Sequence, residues 1–397
     1  MSPSSSGSSP ARVAGVSLVE LMIAMVIGLV VMLAVIQVFA ASRSAYQLSE
    51  GLARVQENSR FAMDSLQREL RMAGHFGCVN DQAHGLQTPA SLNSTLATTH
   101  PALDFSRSIQ GYEATDTGPG KTLTLPATPA TGGTAYSPAL PTQYAAALTN
   151  RVNGSDIVAL RYLMPEGVPV SLIAGTPAKP IFNFEASRLA VLQSGVNKPG
   201  LFGVADCLSA TVFQASAVDN GGSVTFDTAP NNTSVFSSLY TTGQASLYRA
   251  ESVVFYVGYD ATSKQSQLYR VRFTAEPGGA LAAQAPEALV EGVENMQLLY
   301  GQDRQLDATA PTGFIDRQGT ALDVEASLTD KAQAWRRVGA VQLGLLVSSP
   351  DPAAAKRTTG DAAALTSLGV TYNAPNDGRM RSVYQTTIAL RNRLYGN

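Results

Sequence analysis

The chain has 397 residues, 45% of them hydrophobic, 15% charged and 7% aromatic. That length exceeds the usual ~100 to 200 residues per domain and supplies ample apolar chain for a core, which excludes bulk disorder. With Lys+Arg 28 against Asp+Glu 30 the formal net charge is -2, so a nucleic-acid binder relying on a basic, phosphate-neutralising surface is excluded as well.

From Leu21 to Ser42 there is no charged residue, and only Gln37 and Ser42 are clearly polar. As a helix this stretch crosses a hydrocarbon core of ~30 Å. Later apolar runs such as Val338 to Val347 are too short and are interrupted by Gln342 and glycines. The segment reads as a retained anchor. Its apolar run is far longer than the roughly 7 to 15 residues of a signal-peptide core, and no small-residue cleavage site precedes Arg43. One acid, Glu20, sits at its apolar start, where a charge in lipid costs on the order of 2.5 to 3.5 kcal/mol. Glu20 either snorkels to the headgroups or finds a partner.

Beyond the membrane the helical pattern continues, because no proline falls between Pro10 and Pro89. Leu48, Leu52, Val55, Ala62, Met63, Leu66 and Leu70 recur at helical spacing, with a gap at Ser59. Glu50 with Arg54, Arg60 with Asp64, and Asp64 with Arg68 stand four apart on the solvent side. Gly74 suits the C-terminal cap, and Gly28 and Gly51 are the candidate weak points. The spacing predicts one helix from Val16 to about Ala73, roughly 85 to 90 Å long.

After Cys78 the composition changes. Gly, Pro, Thr, Ala and Ser dominate from Pro89 to Pro141, which reads as surface loop. From Ser155 onward, short β-type runs recur between turn signals: DIVALRYLM, SATVFQAS, SVTFDT, ESVVFYVGYD, QLYRVRFTA, MQLLYG, AVQLGLLVSS and VYQTTIALRN. Asp260 to Gln265 reads as a hairpin turn, and Asp351 to Ser367 as a loop before the last strand. The expected fold class is α+β: a long N-terminal α-helix, transmembrane in its first half, packed on an antiparallel β-rich globular head. The expected divisions are a leader over 1–15, a transmembrane half-helix over 16–42, an amphipathic half-helix over 43–74, a loop-rich part of the head over 75–150 and a β-rich head over 151–397.

Gly15-Val16-Ser17-Leu18-Val19-Glu20, followed at once by the apolar helix, resembles a type IV prepilin processing site, with valine where phenylalanine is usual. The resemblance implies cleavage by prepilin peptidase between Gly15 and Val16 and N-methylation of Val16. It also puts Glu20 at the fifth mature position, where a carboxylate can neutralise the α-amino group of a neighbouring subunit inside an apolar bundle. Gly51 to Cys78 (GLARVQENSRFAMDSLQRELRMAGHFGC), Leu289 to Gly301, Val338 to Pro350 and Arg381 to Leu394 resemble segments of PilW-like type IV pilus minor pilins, in that family's order. The family layout is pilin-like. It implies a single-pass inner-membrane protein with a periplasmic head that later enters the pilus at or near its tip and primes polymerisation. Its implied partners are other minor pilins, the major pilin and a PilY-type tip adhesin. Adhesion and twitching motility would be downstream effects. A J-type minor pseudopilin of type II secretion, a surface adhesin or signal-anchored binding protein, and a signal-anchored periplasmic enzyme are the competing readings.

In an exported head, Cys78 and Cys207 are candidates for a disulfide, with free buried thiols the alternative. His75, His84 and His100 lack ligand-like spacing with either cysteine, so no metal site is expected, and the histidines read as surface or loop residues. No nucleotide-binding, hydrolase, metalloprotease or EF-hand motif is present. Glu291 and Glu294 read as solvated neighbours, and Trp335 as a packing residue or protein-contact anchor. Neither a catalytic site nor a cofactor is expected.

Overall fold

The computed structural model describes residues 15–80, 92–97, 99–229, 231, 236, 240–303, 314–352 and 364–393. The leader up to residue 14, His84 and part of the loop before the last strand lie outside the described residues.

Helix α1 (Leu18–Met72) runs unbroken for 55 residues, about 80 Å at 1.5 Å per residue. Neither Gly28 nor Gly51 interrupts it. Its buried stripe is Gly51, Val55, Ser59, Ala62, Leu66 and Leu70, steps of three and four that keep one face on the head. Ser59, expected as a gap, belongs to this stripe: its hydroxyl turns back and donates to the Gln56 carbonyl at 2.8 Å, so its burial leaves no orphaned polar group. Leu48 and Leu52, expected on the same face, stay 42% and 37% exposed. Glu50–Arg54 and Asp64–Arg68 pair at 3.2 and 3.3 Å; Asp64 thus engages the following rather than the preceding arginine.

The head is built of strands β1 (Ile109–Ala114), β2 (Ile157–Leu163), β3 (Leu172–Thr176), β4 (Lys179–Asn183), β5 (Leu201–Ala205), β6 (Ala210–Asp219) and β7 (Ser223–Phe226). They are followed by β8 (Ser246–Asp260), β9 (Gln265–Ala275), β10 (Glu287–Glu291), β11 (Val293–Gln302), β12 (Val338–Pro352), β13 (Val370–Asn373) and β14 (Arg379–Ala389). Each strand-like run in the sequence lies on one of these, because an apolar run between turn residues offers the pleated backbone a buried face. Asp260 pairs with Gln265 across the expected hairpin, and the Asp260 carboxylate accepts the Thr262 N–H at 2.9 Å.

The large sheet runs β1-β2-β8-β5-β6-β7-β4-β3, with β9 beside β8. At 15 residues, β8 is long enough to pair with β5 through its first part and with β2 and β9 further on. It therefore carries two lobes on one backbone. One lobe, on β4 to β7, is filled by Phe182, Phe202, Phe213, Phe226 and Phe236. The other faces a second antiparallel sheet, in which β12 lies between β11 and β14. The lower half of α1 packs on that second sheet, with Val55, Ala62, Leu66 and Leu70 in one apolar cluster with Leu343, Leu345 and Ile388.

The 75–150 segment departs from the expected loop-rich character at its centre. All six residues of β1 are buried, and β1 pairs with β2 inside the large sheet. Local composition suggested loop because β1 is short and carries Gln110, Gly111 and Glu113; burial by neighbouring strands overrides that weak propensity.

Candidate assembly site

At the amino end, Gly15 and Val16 are exposed and non-helical, and the helix starts after Ser17. The Ser17 hydroxyl accepts the Val19 N–H at 3.3 Å, while the Glu20 carboxylate accepts the Ser17 N–H at 3.3 Å. This is a reciprocal capping box, which satisfies backbone donors that a helix start otherwise leaves open. Glu20 thus has a task within its own chain, and among the described residues it has no ion-pair partner. The large apolar side chains from Leu18 to Phe39 are each at least 50% exposed. Such a continuous apolar surface is stable only in lipid or against other helices.

At the other end the helix is tied to the head by polar contacts beside the apolar stripe. Tyr162 donates its hydroxyl to Glu69, and Arg270 bridges Glu69 at 3.1 Å and Glu287 at 2.8 Å. Burial, reinforced by the Glu69 carboxylate, holds the Tyr162 hydroxyl well above its ordinary range, so it remains a donor. Asn58 donates to the Glu291 carbonyl at 3.1 Å, and Asn392 to the Arg71 carbonyl at 2.9 Å. The chain then turns through Gly74 at φ 78° and Gly77 at φ 75°. At Gly77 a Cβ would stand 2.9 Å from the Ala205 Cβ, so glycine serves both the positive φ and the close approach. Directly after it, Cys78 is bonded to Cys207 across a sequence separation of 129 residues. The disulfide fixes the helix exit to the loop following β5.

Other candidates resolve into structural roles. His75 hydrogen-bonds the Leu163 carbonyl through Nδ1 at 2.8 Å, and His100 Nδ1 accepts the Ala102 N–H at 3.1 Å. His100 is partly buried, which together with the Arg161 charge lowers its pKa. Both histidines are therefore integrated into the fold rather than loose on the surface. Among the described residues no group of three His, Cys, Asp or Glu could hold a metal. Trp335 is a packing residue, fully buried and edge-on to Tyr300 at 5.0 Å, with its indole N–H on Glu325 at 2.8 Å. Glu294 departs from its expected solvation: Arg381 holds it with two hydrogen bonds of 2.7 and 3.0 Å and also binds Asp377.

One pair is not signalled by the sequence. Glu113 on β1 and Asp156 before β2 are both buried. The Asp156 oxygens accept the N–H groups of Ala114 and Leu298 at 2.9 Å each, linking the two sheets. Burial, and then the neighbouring Asp156, push the Glu113 carboxyl up, so Glu113 holds a proton. No local spacing announces a pair that only the sheet brings together.

Two family models match the chain. One, described as Type IV Pilus-assembly protein W, covers residues 254–392. The other, the prokaryotic N-terminal methylation motif, covers residues 10–36. No curated protein and no solved structure matches. The first range begins at Val254 within β8 and runs through β14, including the sheet beneath α1. The second covers Gly15, Val16, Glu20 and most of the apolar stretch. Residues 51–78, which resemble the same family, fall between the two ranges. A methylation motif at the head of a membrane-anchoring helix, joined to a PilW-type sheet, marks the chain as a PilW-like type IV pilin.

Proposed function

We propose that this pilin is a minor subunit that primes type IV pilus polymerisation and stays in the tip complex. Prepilin peptidase cleaves after Gly15 and methylates Val16, and α1 then leaves the inner membrane for a bundle of pilin helices while the head lies in the periplasm. Other minor pilins, the major pilin and a PilY-type tip adhesin are its partners, and support of adhesion and twitching follows from assembly. The reading assigns the chain no catalytic step.

The observation that carries it is the pairing of the apolar exposed helix with an acid that has no cation of its own among the described residues. Inside a helix bundle that acid is costly unless a positive group meets it, and the new α-amino group of a neighbouring pilin is such a group. The capping-box bond to the Ser17 N–H leaves carboxylate lone pairs for this second contact. The PilW match favours the pilus over the secretion pseudopilus.

Mass spectrometry of the protein from cells with and without prepilin peptidase is the test. Loss of residues 1–15 and one added methyl on Val16, only when the peptidase is present, is the expected outcome; an unprocessed terminus in both strains refutes the reading. Glu20→Ala should reduce piliation at least tenfold with the chain still in the membrane, and Glu20→Gln, which keeps the cap acceptor but not the charge, should not restore it.

A further inference from the structure

A cavity of about 430 Å³ opens on the head with no α1 residue in its lining, within the size range of small-ligand sites, roughly 300 to 1,000 Å³. Its two walls differ in chemistry. One is an apolar strap in which Leu123, Leu125 and Pro126 face the space. The strap is held by short parallel pairing of Thr122–Thr124 with β13. The opposite wall is polar and carries Lys264, Ser266 and Arg379 from the β8–β9 hairpin and the start of β14.

Three observations on the polar wall point to a ligand. Ser266 is only 4% exposed, and its hydroxyl has no hydrogen-bond partner. A buried hydroxyl left open costs roughly 1 to 3 kcal/mol. Lys264 and Arg379 are in no ion pair among the described residues, and the Arg379 guanidinium makes a long 3.5 Å contact to the Lys264 carbonyl. The neighbouring Arg381, by contrast, is engaged by Glu294 and Asp377. The lining therefore offers two cations outside any ion pair among the described residues, Arg379 lying in the field of Asp377, and one hydroxyl without a hydrogen-bond partner, together with an apolar strap.

We propose that this cavity binds an organic carboxylate with an apolar body. The body lies on Leu123, Leu125 and Pro126, the carboxylate on Lys264 and Arg379, and the Ser266 hydroxyl donates to it. Free carboxylic acids and the C-terminal carboxylate of a peptide share this chemistry. The site is separate from α1 and does not depend on the proposed role in assembly.

The test is calorimetric titration of the full chain in lipid nanodiscs with two probes, 4-phenylbutyrate and N-acetyl-Leu-Pro-Ala with a free carboxyl terminus. Their neutral counterparts, 4-phenylbutanol and the peptide amide, serve as controls. Saturable one-site binding of at least one acid, at least tenfold tighter than its neutral counterpart, is expected, and the tighter acid identifies the natural source. Arg379→Gln and Lys264→Asn should each weaken it at least fivefold, and Ser266→Ala about threefold. Lys264 lies at φ 56°, a left-handed conformation that asparagine tolerates, so that variant keeps the fold if Arg379→Gln does not. Equal affinity for acid and neutral counterpart, affinity unchanged in Lys264→Asn, or no saturable binding of either acid at millimolar concentration overturns the proposal.

Discussion

The sheet beneath α1 and the phenylalanine-rich lobe beside it are both antiparallel and both filled by buried apolar side chains, yet they are stabilised differently. The α1 sheet is held by a long helix whose small and aliphatic residues mesh with β12 and β14, supplemented by Glu69, Arg270, Tyr162 and Asn58 at the margin. Among the described residues the lobe has no helix of comparable length across it, and it relies on aromatic rings: Phe213 lies within 5.6 to 6.3 Å of Phe182, Phe202, Phe226 and Phe236. The PilW match falls on the first and leaves β3 to β7 outside. The lobe hangs on the long strand β8 and is stapled to the helix exit by Cys78–Cys207.

That contrast can be broken at four points. The largest effect belongs to the staple. Replacing both cysteines by serine should cost about 4 to 5 kcal/mol on the chain-entropy account of so long a loop. Denaturant unfolding should then change from one transition to two if the regions are separable units, whereas a single shifted transition would show that β8 alone couples them. Next, Phe213→Ala should remove about 3 to 5 kcal/mol from the lobe by transfer and cavity terms. Its signature is loss of hydrogen-exchange protection in β5 to β7 while β12 and β14 keep theirs.

A third point lies in the interface between the large sheet and the α1 sheet. Glu113 keeps its proton in the folded state at pH values where the unfolded chain has lost it. Stability should therefore be greatest below the ordinary carboxylate range and fall as pH rises above it, by up to about 1.4 kcal/mol per pH unit for one retained proton. Glu113→Gln should flatten that dependence in unfolding experiments between pH 5 and 8; an unchanged slope would assign it elsewhere. The smallest effect is on the solvent face of α1, where Arg54→Ala breaks an exposed i,i+4 pair and should shift the unfolding free energy by less than about 0.5 kcal/mol.

Much of the layout was legible because it depends on local periodicity. The apolar run, the charges four apart and the alternation in Leu268 to Phe273 each fix an element without reference to the rest of the chain. Legibility failed where the partner was remote. Leu48 and Leu52 continue the helical period, but the head leaves them partly uncovered, so they remain exposed. Ser59 breaks the apolar pattern and is buried all the same, since its hydroxyl finds a backbone acceptor within its own turn. Glu294 looked solvated until Arg381, on another strand of the same sheet, was brought against it.

By itself the sequence determined the membrane-length helix, the processing-site resemblance around Gly15, Val16 and Glu20, and the α+β class, because these follow from spacing along one stretch of chain. It also narrowed the cysteines to two readings without choosing between them. Only the tertiary structure decided that Cys78 meets Cys207, that Glu113 and Asp156 share a buried interface, and that Lys264, Ser266 and Arg379 face a proline-bearing strap. Each of those contacts joins residues far apart in the chain. Closing such distances costs conformational entropy that only the cooperative burial of a whole core can offset.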